Sequence, residues 1–311
     1  GLVASKDFKK GQVLFRDTAA ITIHAPSDII PLKELKEQVS NMSEEQKAKF
    51  YQLTPKGCLN PAQLADAFRE NCLQELDIFY SNCLDEETGA ADKRLLFVSS
   101  SFLNHSCSPN VLLEGNNENS DSFHEVNIIA IKDISKGEEV TECYKKGFMT
   151  SSEMKTMLHE DFLFDCKCGV CAGSIPNQDR MILEISSKFA IAVSRSLDLN
   201  LRYQMKAKQW ITEASQLERA ADLTKQLYIG HFSDRLKVYI LFVFASQMAR
   251  DSIRLKKAMD LMKEEVRALG RVGELYKTLE TKVERWSKEQ ESRSKRKPTQ
   301  EEIDDFHDLF V

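Results

Sequence analysis

The apolar residues of this chain change their period near residue 177. Before it they come in short alternating runs; beyond it they recur at three- and four-residue steps. "GQVLFRDTAAITI", rich in Val, Ile and Thr and opened by a turn at Lys10 and Gly11, predicts strands. "HEVNIIAIKDISKGEEVTECY" predicts two more around the turn "SKGEE". Between them residues 31–82 have helical composition, with Asn60 placed to cap a helix and Pro61 at its first position. "EGNNENSDS" predicts a polar hairpin loop.

The later half predicts long amphipathic helices over "DRMILEISSKFAIAVSRSL", "RYQMKAKQWITEASQLERAADLTKQLY", "SDRLKVYILFVFASQMARDSIRLKKAMDLMKEEVRAL" and "ELYKTLETKVERWSKEQ". Gly230 and Gly270 read as helix stops, and the third stretch is expected to break between Arg250 and Ile253. Its run "VYILFVFA" is too short to span a bilayer and predicts a buried helix, so no membrane insertion is expected. Stacked antiparallel helices, similar to a tetratricopeptide array, follow from the pattern, although no repeat of about 34 residues is visible. "SRSKRKPTQ" reads as a solvated connector.

Composition narrows the class. A hydrophobic fraction of 42% and a charged fraction of 29% describe a folded globular protein and exclude a disordered one. Through Arg180 there are 19 Lys/Arg against 28 Asp/Glu, and beyond it 24 against 20. An acidic first part argues against direct nucleic-acid binding and suits a basic substrate. No charged-then-apolar leader opens the chain, and "GLVAS" reads as the interior of a domain, so an intracellular protein is expected.

Cysteine usage adds chemistry. "CKCGVC" sets Cys166, Cys168 and Cys171 close together, and in a reducing compartment such clustering argues for metal rather than disulfides. Zinc in a structural site takes four ligands, and thiolates suit it. The fourth must come from Cys58, Cys72, Cys83, Cys107 or Cys143. Cys107 is the most attractive, because it ends the apolar run "LLFVSSSFL" and is fixed before "SPN". Four thiolates leave no open position, so the expected ion is one structural zinc; the alternative is a set of reduced, unliganded cysteines. The surrounding "SFLNHSCSPNV", read alone, fits a Cys/His nucleophile pair, half a metal site or a buried turn.

Three stretches in order, "FLNHSCSPNV", "IKDISKGEEVTECY" and "LFDCKCGVC", resemble the SET-domain protein lysine methyltransferases. Within that superfamily they look most like the SET-and-MYND (SMYD-type) branch, whose tetratricopeptide-like C-terminal domain the later helices also resemble. The resemblance is strong over residues 99–171, moderate over the first strands and architectural over the helices. The branch's cysteine-rich MYND finger has no counterpart, since residues 31–82 offer only Cys58 and Cys72. That is similar to MYND-less relatives, including the apical complex lysine methyltransferases of apicomplexan parasites. Lys145 and Lys146 also depart from the branch, at a place near the substrate channel.

The resemblance implies an α+β fold: a β-rich SET domain over 1–164 with the helical insertion at 31–82, a post-SET zinc segment over 165–176, and an all-α C-terminal domain over 177–311. It implies a protein-lysine N-methyltransferase that uses S-adenosylmethionine and holds the lysine amine in an apolar channel. Tyr144 matches the catalytic tyrosine. Gly1, Leu2, Asn104, His105 and Phe164 match cofactor-binding positions, with Tyr144 beside the transferring methyl, and Cys107 with Cys166, Cys168 and Cys171 would hold zinc. The partner would be a protein carrying the target lysine, and the place cytoplasm or nucleus, or a cytoskeletal apical complex if the apicomplexan likeness holds. The helices would wall the peptide cleft, form a homodimer surface or recruit a partner. A catalytically inactive SET-like binding module is the alternative reading, and a zinc-stabilised scaffold without cofactor a second.

Overall fold

A computed structural model describes residues 1–24, 30–53, 74, 78–79, 84–86, 93–115, 124–145, 147–173, 176–197, 205–228, 231–267 and 281. The strands are β1 (Leu2–Val3), β2 (Val13–Thr18), β3 (Ile21–His24), β4 (Leu84–Glu86), β5 (Lys93–Leu96), β6 (Asn104–His105), β7 (Val111–Gly115), β8 (Glu125–Ala130) and β9 (Glu139–Glu142). They form three small sheets, in the orders β1-β9-β6, β2-β8-β7 and β3-β5-β4. Strand β8 runs as "EVNIIA" with Val126, Ile128, Ile129 and Ala130 all inaccessible, as a central strand covered on both faces requires. Its antiparallel pairing with β7 carries the expected hairpin, whose connecting residues 116–123 lie outside the described residues.

The expected insertion begins with α1 (Leu32–Asn41) and α2 (Glu44–Phe50). In α1, Leu35 and Val39 fall one turn apart and bury against Ile21 and Ile23 of β3. A capping box of Ser43 with Gln46 starts α2. Asn60, Pro61, Cys58, Cys72 and Cys83 lie outside the described residues.

Helix α3 (Ser151–Phe162) follows β9, opened by a Thr150–Glu153 capping box and closed by Leu163 in the left-handed region, with φ 55°. The C-terminal part is helical: α4 (Gln178–Leu197), α5 (Ala207–Leu227), α6 (Phe232–Ala249) and α7 (Ser252–Arg267), each packed on the next. Helix α5 starts later than the apolar pattern predicts. Lys206 is extended, and the Gln209 side chain accepts its N–H at 2.7 Å, which caps the helix there. The break expected after α6 is present: Arg250 is left-handed with φ 55°, and Asp251 then caps α7 by accepting the Arg254 N–H at 3.0 Å. Gly230, Gly270 and the fourth stretch, apart from helical Thr281, lie outside the described residues.

Helix α6 is buried almost all round, because α5 and α7 cover it from both sides. No helix among the described residues is long and apolar enough to cross a membrane. One apolar cluster runs from Cys107, Ile129 and Ile131 through Phe148 and Met154 into these helices. At the junction Tyr228 packs its ring against the Lys132 ammonium, 4.8 Å away, and the Arg235 guanidinium, 4.3 Å away. Arg235 is fully buried; its Nε donates to Glu265 Oε1 at 2.9 Å, and its Nη2 lies 2.8 Å from the same oxygen as an ion pair. Removing one member of such a pair leaves an uncompensated buried charge, so Glu265→Ala is expected to lower unfolding free energy by about 3–5 kcal/mol, measured by urea denaturation.

Candidate active site and metal centre

Strand β9 is the spine of the site. It pairs antiparallel with β1 on one side and parallel with β6 on the other, matching Leu2 to Val140 and Asn104 to Thr141. After β6 the chain turns along β9: Ser106 N–H donates to Glu142 O at 2.8 Å, and Asn110 N–H to Thr141 O at 3.1 Å. The Asn110 side chain completes the join, donating to Glu139 O at 2.8 Å and accepting the Thr141 N–H at 2.8 Å. The motif "SPN" contained this residue, but nothing in the local pattern marked its amide as the clamp on another strand.

The triplet singled out by spacing meets Cys107, chosen for its place after an apolar run. The sulfurs of Cys107, Cys166, Cys168 and Cys171 all lie within 4.8 Å of one another, and Cys107 and Cys171 are 3.5 Å apart. Tetrahedral zinc with Zn–S near 2.3 Å separates its sulfurs by about 3.8 Å, so this donor set fits one ion. Hydrogen bonds from Cys107 and Cys166 hold the Cys168 thiol far below the usual range, whereas hydrogen bonding to Cys166 and Cys168 pushes Cys107 up. The fifth described cysteine, Cys143, is buried elsewhere and donates to Lys145 O at 3.1 Å. The knuckle is held from α4, where Gln178 Nε2 donates to Val170 O at 3.0 Å.

His105 joins this cluster to Tyr144. Its Nδ1 accepts the Tyr144 N–H at 3.1 Å, and its Nε2 lies 3.3 Å from Cys107 Sγ. Acceptance at Nδ1 places the proton on Nε2, which therefore donates to the Cys107 sulfur. Burial pushes the His105 pKa down to about 4, against a smaller opposing effect from Cys168, so the ring is neutral at pH 7. It is not free to act as a nucleophile's base, and Cys107 is committed to the cluster.

Tyr144 is half-buried, and its hydroxyl donates to Leu103 O at 2.5 Å. Burial first, then Glu142 and Glu139, push its phenol above the ordinary range, so it stays protonated. Phe164 comes beside both, 6.3 Å from the Tyr144 ring and 6.2 Å from the His105 ring, centroid to centroid. Phe162 packs closer to Tyr144, at 5.0 Å, and was not foreseen; Leu163 between them turns left-handed, which sets the two aromatics on one site. Lys145 pairs with Asp161 at 2.6 Å and lies 5.1 Å over the Phe162 ring; Lys146 lies outside the described residues.

Gly1 sits against Asn104. A Cβ at Gly1 would meet Asn104 Nδ2 at 2.4 Å and Glu139 Oε1 at 2.7 Å, so a larger residue there would have to displace those two side-chain ends. Asn104 Nδ2 itself donates to Glu139 Oε1 at 2.7 Å. The structure therefore gathers Gly1, Leu2, Asn104 and His105 along β9, and Tyr144 and Phe164 at its end.

Residues 1–145 match the family model of the SET domain. The chain is similar to the fission yeast (Schizosaccharomyces pombe) histone-lysine N-methyltransferase set5, with 29% identity over 60% of this chain and 50% of that protein. It is also similar to human (Homo sapiens) histone-lysine N-methyltransferase SMYD3, 38% identical over 24% of this chain and 16% of that protein. Zebrafish (Danio rerio) N-lysine methyltransferase SMYD2-B is 25% identical over 49% of this chain and 35% of that protein. The chain spans half or less of the length of these relatives.

The cysteine geometry makes a direct prediction. Elemental analysis of the purified protein is expected to find about one zinc per chain, and Cys168→Ser to lose most of it. Full zinc content in that variant would refute the assigned ligand set.

Proposed function

We propose that the chain is an S-adenosylmethionine-dependent protein-lysine N-methyltransferase. The observation that carries this reading is the meeting of Tyr144, His105, Phe164 and the Gly1–Asn104 contact at the ends of three paired strands. The backbone at Gly1 and Leu2, the Asn104 side chain and the His105 backbone would bind the amino-acid and adenine ends of the cofactor, with Phe164 against the adenine. S-adenosylmethionine, when bound, supplies the sulfonium methyl.

Tyr144 would orient the lysine amine. A phenol kept protonated can hold one hydrogen bond at a fixed place beside the reacting nitrogen, and alignment of this kind supplies much of the rate. Phe162 and Phe164 would form apolar walls that disfavour the ammonium and leave the amine neutral. The zinc is structural on this reading, because four thiolates fill its coordination sphere. A basic acceptor suits the acidic first part of the chain, and the related enzymes named for histone lysines favour the same class.

The finer assignments belong to the same proposal. Residues 1–164 form the SET domain, 165–176 the zinc segment and 177–311 a tetratricopeptide-like domain that walls the peptide cleft. The chain belongs with SMYD-type enzymes that lack the MYND finger, works inside the cell, and the apicomplexan likeness rests on that absence alone.

The test is transfer of labelled methyl from S-adenosylmethionine to lysate proteins, with modified lysines mapped by mass spectrometry. Tyr144→Phe is expected to lower transfer about 100-fold or more while S-adenosylhomocysteine still binds by calorimetry. Cofactor binding without transfer by the wild type would favour a binding module. Absence of cofactor binding would favour a zinc-stabilised scaffold.

A further inference from the structure

The segment leaving Tyr144 is held by the helical region, not by the SET strands. Asp234, in the first turn of α6, is 7% exposed, and its Oδ2 accepts the Gly147 N–H at 2.6 Å. Gly147 has φ 102°, a backbone state open to glycine, and lies three residues beyond Tyr144. The next residue, Phe148, is buried with its ring edge-on to Phe189 of α4, 5.9 Å between centroids. Three residues later, Ser151 donates both its N–H and its hydroxyl to Asp179 Oδ1 at 2.8 Å.

Tyr144 is thereby gripped from two sides. Upstream, His105 accepts its backbone N–H; downstream, a buried carboxylate accepts the Gly147 N–H. A carboxylate accepting a backbone N–H makes a charge-assisted bond, stronger and shorter than a neutral one. The bland alternative is a carboxylate that only complements the α6 dipole.

We infer that Asp234 is a positioning residue for Tyr144: by holding the Gly147 N–H it sets where the tyrosine hydroxyl stands, so the C-terminal helices form part of the catalytic apparatus. This rests on the methyltransferase reading above. It goes beyond a cleft wall, since the helices act on the reacting centre without touching substrate.

Asp234→Ala and Asp234→Asn separate the alternatives, because the Asn oxygen still accepts the Gly147 N–H without charge. In Asp234→Ala, hydrogen exchange at the Gly147 amide is expected to quicken about tenfold or more. Its methyl-transfer rate onto core histones at saturating substrates should fall about 10- to 100-fold, with KM for S-adenosylmethionine unchanged. Asp234→Asn should retain most of the rate. Unchanged exchange at Gly147, or equal loss of rate in both variants, overturns the role in an active wild type. If the wild type transfers no methyl to histones or lysate proteins, the methyltransferase reading falls, and this role falls with it. Should the Ala variant fail to fold, the Asn variant decides alone: a rate reduced as far as that of Tyr144→Phe refutes positioning by the hydrogen bond.

Discussion

The meeting of Cys107 with the Cys166–Cys171 knuckle is the constraint on which the site depends. The two sulfurs that touch are 64 residues apart in sequence, and the chain between them holds β7, β8, β9 and α3. Closing so long a loop costs conformational entropy that a few van der Waals contacts recover slowly, whereas thiolate ligation concentrates its free energy at one point. Once that point is fixed, Phe164 cannot be far from His105, because each lies two residues from a ligand. An ion held there would act at a distance from Tyr144: it would place rather than react.

His105 transmits that placement. A neutral imidazole with one nitrogen accepting and the other donating is a rigid spacer of fixed polarity, here between the Tyr144 backbone and the Cys107 sulfur. Reversing the tautomer would set the Nδ1 hydrogen against that of the Tyr144 N–H and turn a lone pair toward the sulfur. Donation to the Cys107 sulfur favours the present tautomer, so cluster and tyrosine backbone are mutually consistent. Asn110 performs the corresponding task on β9, bonding both a carbonyl and an amide of a strand that would otherwise be only two residues wide on this side.

How much of this the sequence disclosed follows from the range of each interaction. The cysteine triplet was legible because its ligands are local and their spacing is set by the ion. Cys107 could be chosen among five candidates because it ends an apolar run, which implies a buried, fixed backbone. Strands β2, β3, β8 and β9 and helices α4 to α7 were legible from period, including the break at Arg250, where an amphipathic pattern falters, whereas β1, β4, β5 and β6 were not, the shortest of them carrying too few residues to show one. Phe162 was not, because its place depends on Leu163 adopting a left-handed backbone without being glycine. Asp234, Asp179 and Gln178 were invisible for another reason. Each reads as an ordinary polar residue in the first turn of a helix, and only the tertiary fold aims it at the backbone of the site.

Those three residues alter how the two halves of the chain relate. A boundary drawn where the hydrophobic period changes falls near residue 177, yet the apolar cluster runs continuously across it from Cys107 to Val266. The polar contacts cross it too: Gln178 holds Val170 of the cysteine knuckle, Asp179 the start of α3, and the Tyr228 carbonyl the Ser108 hydroxyl at 3.0 Å. Backbone groups at Val170, Gly147 and Ser151 would need water or new partners if the helices left. The strands of the first part therefore supply the positions of the candidate cofactor residues, while the helices supply satisfaction of the loops between them. Sequence period separates two patterns of secondary structure, but the hydrogen bonds of the site belong to neither half alone.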